Sequence, residues 1–348
     1  MLVYSLVLIF SLYFLLLSKV NKKIDLYSSF ILMFILLLIA GLRSEVGTDY
    51  NTYVHFITLI KDGYDVYMEL GFQALVKSVL YMGFEYQVVF LFSSFITLMF
   101  FYLYILKHSK GYTLSVVLFY LFPIFYFASF NGVRQFIAVS IFLYSIRFIL
   151  NKKFIAYFTW ILIASLFHKT VLLTLPLYFI LNIRIELKEI IIISSGYLLS
   201  VSLLPFIGRA LGFPEKYFND SLISEVINYK ILVFPVIFLF YYSIRNKYKG
   251  KCFDENITTN MLLIGSLISL TPFVSTLPSA PVIRMSSYFT PIIIVLLPNV
   301  SYLFKNGVVR LIYVLSVVLL SLIYFYSTVI VNGEVVNLLP YSFNFNLL

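Results

Sequence analysis

The chain has 348 residues, 61% of them hydrophobic and 11% charged, with a mean hydropathy of +0.99. Soluble domains carry about 25% charged residues, so a soluble fold is excluded, and so is a disordered chain. The single cysteine, Cys252, excludes a disulfide scaffold, and the net charge of +10 reads as membrane topology and needs no nucleic-acid partner.

Taken in chain order, apolar runs at 2–18, 26–42, 86–106, 112–130, 133–150 and 154–167 predict the first six membrane spans. Runs at 170–182, 189–208, 230–244, 257–275, 285–304 and 308–331 predict six more. A helix crosses the bilayer in about 20 residues, so the expectation is a single all-α transmembrane domain, 1–348, with about twelve helices. The first run has no basic residue before it and is expected to be a span, not a signal peptide. Alternate connections hold Lys19/Lys22/Lys23, Lys107/Lys110, Arg147/Lys152/Lys153, Arg184/Lys188, Arg245/Lys247/Lys249/Lys251 and Lys305/Arg310. That is sixteen of the 25 Lys and Arg on one side, against five acids. By the positive-inside rule this side is cytoplasmic and both termini face outward.

The longest outer connections are 43–85 and 209–229, with a short Pro-rich one at 276–284. The outer side also carries bases where they are disfavoured: Arg43 after span 2, Arg134 opening span 5, Arg284 opening span 11, and Lys169 between spans 6 and 7. Guanidinium presents a planar fork that matches phosphate oxygens, so arginines converging from separate helices would make a diphosphate or polyanion site. The alternative is interfacial snorkelling, or pairing with the outer acids Glu45, Asp49 and Glu69. Between the cytoplasmic bases Lys153 and Arg184, each arm of a hairpin split at His168-Lys169 has about 17 residues, or about 25 Å. That is short of a hydrocarbon core about 30 Å thick. His168 and Lys169 are therefore expected below the outer surface, where ionisable groups are functional candidates. Asn131, Arg134 and Gln135 share one hinge turn, and a plain reversal needs no such set.

No metal is expected from the three scattered histidines, and no cofactor, because nucleotide and nucleophile-elbow motifs are missing.

Arg43-Ser-Glu-Val-Gly47-Thr-Asp49-Tyr50-Asn-Thr-Tyr53 resembles the R-x-x-x-G-x-D-Y-x-x-Y signature of the EpsG family, Wzy-like polymerases of bacterial surface polysaccharides and O-antigens. Asn131-Gly-Val-Arg134-Gln135 resembles its N-x-x-R-Q hinge, and Phe167-His168-Lys169-Thr170 its F-H-K step. Arg284-Met-Ser-Ser-Tyr288 and Pro340-Tyr341 agree more loosely.

The resemblance implies a fold similar to that of lipid-linked-sugar glycosyltransferases of the GT-C type, and an inner-membrane enzyme working at the periplasmic face. Its donor would be a glycan on undecaprenyl diphosphate, its acceptor the next lipid-linked repeat unit, and its usual partner a chain-length regulator. Arg43, Arg134, Lys169 and Arg284 would bind the diphosphate, which needs no metal. Asn131 and Gln135 would add polar recognition, and Tyr50 and Tyr53 would stack on sugar rings. His168 is assigned as general base and Asp49 as its orienter, with the reverse assignment open. Two other classes remain: a flippase for the same lipid, expected to line a path through both leaflets, and a glycan acyltransferase, expected to carry a cytoplasmic catalytic cluster.

Overall fold

The computed structural model describes residues 1–210, 232–248, 254–274 and 284–347. Most of the expected loop 209–229, the segment 276–283 and Cys252 lie outside the described residues.

The protein is helical almost throughout. The helices are α1 Leu2–Leu17, α2 Lys22–Gly41, α3 Tyr50–Lys61, α4 Leu70–Tyr81, α5 Tyr86–His108, α6 Tyr112–Leu121, α7 Ala128–Asn131, α8 Val133–Leu150 and α9 Phe154–Ser165. They continue as α10 Leu177–Ile180, α11 Leu187–Ala210, α12 Val233–Tyr248, α13 Glu255–Val274, α14 Ile293–Ser301 and α15 Gly307–Phe325. Against twelve expected spans, five helices among the described residues are long and apolar enough to cross a membrane: Lys22–Gly41, Tyr86–His108, Val133–Leu150, Leu187–Ile207 and Gly307–Ile330. Most of the other runs form shorter apolar helices of 10–17 residues.

The shortening has local causes. The run 112–130 stops at Leu121 because Pro123 disfavours helical geometry at Phe122, which is extended at φ −94°, ψ 97°. The run 154–182 breaks at the expected place: α9 ends at Ser165, His168 is extended, and a 3₁₀ turn covers Lys169–Thr174. Tyr157 Oη closes this short hairpin by donating to the Thr174 carbonyl at 2.6 Å.

Contacts divide the chain into two compact units, residues 1–175 with 297–348, and residues 176–296. In the first, α5 packs on α2 and α8, α8 on α9, and α6 on α1, α2 and α15. Helices in lipid associate by close packing and polar bonds, since lipid tails are as apolar as leucine. Such bonds close one end of this unit. The Asp25 carboxylate accepts from the Tyr112 and Thr113 N–H groups at 2.9 and 2.8 Å, tying α2 to the start of α6. In the second unit α13 packs on α11 and α12, and Asn260 Nδ2 donates to the carbonyls of Ile180, Leu181 and Ile183, where α10 ends.

The connection 43–85 is not a loop. Buried Tyr50, Tyr53 and Ile57 on α3 and Phe72, Val76 and Val79 on α4 recur at helical spacing. They form one apolar cluster with Val88, Val89 and Phe90 of α5 and Val133 of α8. The two helices thus roof the ends of α5 and α8. The chain terminus returns to the same end: Ser342–Phe343 pairs antiparallel with Arg43–Ser44, the only strand pair among the described residues. Tyr341 Oη donates to the Ile39 carbonyl, and Tyr4 Oη donates to Leu338. The start of α1 and the C-terminal tail therefore lie at the Arg43 end.

Candidate active site

Three segments far apart in sequence converge at this end of the first unit. Glu69 precedes α4, Arg134 lies in the first turn of α8, and His168 sits at the break after α9. Glu69 Oε2 pairs with Arg134 Nη1, and Glu69 Oε1 lies 3.2 Å from His168 Nδ1. A residue at a helix N-cap ordinarily turns an oxygen back to the backbone. Glu69 does not cap α4, and both its oxygens face side chains instead. Burial pushes its carboxyl up, but the hydrogen bond with His168, its own backbone N–H and the Arg134 charge outweigh that and bring it down to about 2. An ionised carboxylate can only accept, so His168 donates from Nδ1, and in this tautomer the lone pair of an uncharged ring lies at Nε2. Nε2 has no partner among the described residues, and a quarter of the His168 side chain is exposed.

The framework holding this triad is close-fitting. The Gly71 N–H donates to the Leu166 carbonyl at 2.8 Å, joining α4 to the end of α9. A Cβ at Gly71 would lie 2.8 Å from the Leu166 Cβ and carbonyl oxygen, so only glycine permits the approach. Tyr53 packs on Phe72 and Phe90 beneath the Arg134 guanidinium.

The structure places Arg43, Tyr50 and Tyr53, all expected in the binding set, among buried contacts. Arg43 is 1% exposed. Its guanidinium donates to the carbonyls of Ala40, Val46 and Phe130 and lies between the Phe90 and Phe130 rings. Burial lowers its pKa to about 10, which leaves it cationic at neutral pH, but no donor faces a ligand. Tyr50 is buried, stacks on Phe90 and donates to Gln87 Oε1, whose Nε2 donates to the carbonyls of Gly41 and Arg43. Tyr50 and Tyr53 lie in the apolar cluster, so neither offers a face to a sugar. Gly47 has φ +100°, a left-handed conformation, and a Cβ there would lie 2.7 Å from Asn131 Oδ1. The Gly47 N–H donates to the Asn337 carbonyl, and Asn337 Nδ2 returns to the carbonyls of Glu45 and Gly47.

Asp49 is the N-cap of α3, half-buried, with Thr48 Oγ1 at 3.4 Å, and no bond joins it to His168. The carboxylate on His168 is Glu69, so the pairing with an outer acid, the alternative raised for the arginines, is realised at Arg134. Asn131 Oδ1 and Arg134 Nε are both buried without a hydrogen-bond partner among the described residues. Gln135 is buried beside them in sequence. Lys169 is exposed, with Nζ 5.5 Å from the ring centre of Tyr67, itself 93% exposed. Arg284 belongs to the second unit and is exposed.

Glu69 and Tyr67 were the residues missed as site members. The signal for Glu69 was present: an acid directly before the pattern Phe72, Val76, Val79 marks a helix start. Among the described residues no group of three or more His, Cys, Asp or Glu could hold a metal ion.

Fold and site together define an all-helical membrane protein with a carboxylate–histidine pair and an arginine at one end of its bundle. The chain belongs to the EpsG family of Wzy-like polymerases, whose family model matches residues 26–343. No curated protein and no solved structure matches it.

Proposed function

We propose that this protein extends a surface polysaccharide, an exopolysaccharide or O-antigen, by transferring a glycan from undecaprenyl diphosphate onto the next lipid-linked repeat unit at the periplasmic face of the inner membrane. The observation that carries the reading is the Glu69–His168 pair with Nε2 left open, beside the Arg134 cation. Transfer needs a base for the acceptor hydroxyl and positive charge where the leaving group departs. His168 Nε2 takes the hydroxyl proton as the acceptor oxygen bonds to the anomeric carbon. The bond from that carbon to the diphosphate oxygen breaks, and the diphosphate leaves with the electron pair. Glu69 holds the ring in the required tautomer and stabilises the imidazolium that forms. Arg134 and Lys169 face the departing charge. The exposed ring of Tyr67 takes the sugar-stacking role in place of Tyr50 and Tyr53.

The test is complementation of a deletion strain, with protein levels checked. His168→Ala is expected to leave lipid carriers bearing one repeat unit. Long chains at wild-type abundance would remove the histidine from the mechanism. Carriers with no repeat exposed outside would indicate a flippase, and full-length chains lacking acyl groups an acyltransferase.

A further inference from the structure

The first unit holds a second polar feature at the end opposite the Glu69 site. The two ends are separated by the lengths of α2 and α5, 20 and 23 residues, or about 30 Å. Here a cavity of about 600 Å³ opens between the end of α1 and the starts of α2, α6 and α15. Lys19, Lys22, Lys110 and Arg310 line it.

No acid pairs with any of these four cations among the described residues. Three of them rest on aromatic rings: Arg310 lies 3.9 Å and Lys110 6.0 Å from the Tyr302 ring centre, and Lys22 5.8 Å from that of Tyr112. The one carboxylate in the wall, Asp25, has both oxygens bonded to the N–H groups that start α6. Three helices begin at the cavity, each adding the positive end of its dipole. The pocket carries four cations against one carboxylate and is strongly net cationic.

Its depth profile says what kind of anion fits. Leu15 on α1, Leu114 on α6 and Val314 on α15 line the same cavity, each four residues along the chain from Lys19 and Lys110, which flank their helices, and from Arg310, which lies on α15. On α15 that is one turn, about 6 Å, further along the helix from the cationic rim. Below them the flanks of α1 and α15 expose Leu12, Leu315 and Leu319. A soluble phosphate compound would have no use for the apolar lower wall. A lipid would use both halves, and basic pockets between membrane helices suit phosphate head groups.

We propose that this cavity binds the phosphate head group of an anionic phospholipid, whose acyl chains continue down α1 and α15. Arg310 supplies a planar fork, held ready by Tyr302, and Lys19, Lys22 and Lys110 supply point charges around it. The site does not depend on the polymerase reading, since it lies at the other end of the helices from His168.

The test uses the full-length protein, equilibrated with vesicles of phosphatidylcholine alone or mixed with an equal part of phosphatidylglycerol, then extracted and its retained lipids measured by native mass spectrometry. The wild type should retain phosphatidylglycerol selectively, and increasingly poorly as salt rises. The double variant Lys22→Gln/Arg310→Gln should lose about 30-fold in that retention, as expected for two lost cation–phosphate contacts. Lys305→Gln, a base at the same end but outside the cavity, should not change it. Should the double variant fail to purify, Arg310→Gln alone and the salt series on the wild type decide the matter. Unselective retention by the wild type, or full retention by the double variant, overturns the proposal. Displacement of the lipid by inorganic phosphate also overturns it, in favour of a soluble anion site.

Discussion

The Glu69 carboxylate is the point where the proposed chemistry is most exposed to experiment. Glu69→Gln keeps the shape and the position before α4 but removes the charge that faces Arg134 and His168. A carboxamide can also present its NH₂ to Nδ1, which would stabilise the wrong tautomer of the ring. Loss of an orienting carboxylate from a base of this kind costs on the order of 10²–10⁴-fold in rate. The stability effect is smaller and has a defined sign. The carboxyl lies at about 2 in the folded protein against 4.5 ordinarily, a difference of about 3 kcal/mol before screening. Water reaches the site, so about 1–2 kcal/mol is the reasonable expectation. Because the folded value is depressed, this contribution is fully present above pH 4.5 and is lost as pH falls towards 2. The assays are chain-length distribution in cells and thermal unfolding of purified protein between about pH 6 and 3. The wild type should lose more stability than Glu69→Gln across that range, and the variant should build little or no polymer at pH 7. Wild-type polymer from Glu69→Gln at normal protein level would refute the orienting role and reduce the pair to a structural contact.

Four further outcomes are expected. Arg134→Lys should impair polymerisation nearly as much as Arg134→Ala, because an ammonium cannot hold Glu69 and a phosphate oxygen with one planar fork; wild-type chains would show that charge alone suffices. Gly71→Ala should reduce chain length by displacing α4 from Leu166 and Glu69 from His168, and unchanged polymer would show that α4 can shift without effect. Arg43→Ala should lower thermal stability by about 3–5 kcal/mol, since three buried carbonyls lose a charged donor; a loss of activity with stability intact would return Arg43 to the substrate. A reporter active only in the cytoplasm, fused after Leu348, should be silent, and strong signal would reverse the orientation of the first unit.

Composition alone decided that this is a membrane protein, because so few charged residues cannot cover a soluble surface. His168 and Arg134 could be singled out as candidates too, since polar groups stand out against an apolar background. The break at His168 was predictable because arm length is simple arithmetic on 1.5 Å per residue. Other matters depended on which segments meet. Arg43, Tyr50 and Tyr53 belong to the same motif as Asp49, yet only packing shows that their side chains point into the cluster with Phe90 and not towards a ligand. Glu69 lies 65 residues from Arg134 and 99 from His168, and no local spacing connects them. The folding of 43–85 into two helices across α5 and α8 makes that contact. The return of Ser342–Phe343 onto Arg43–Ser44 is likewise a long-range pairing that a periodic pattern cannot announce. Hydrophobic periodicity reports the face an element buries, but the partner of a charged side chain is set by the tertiary path of the backbone.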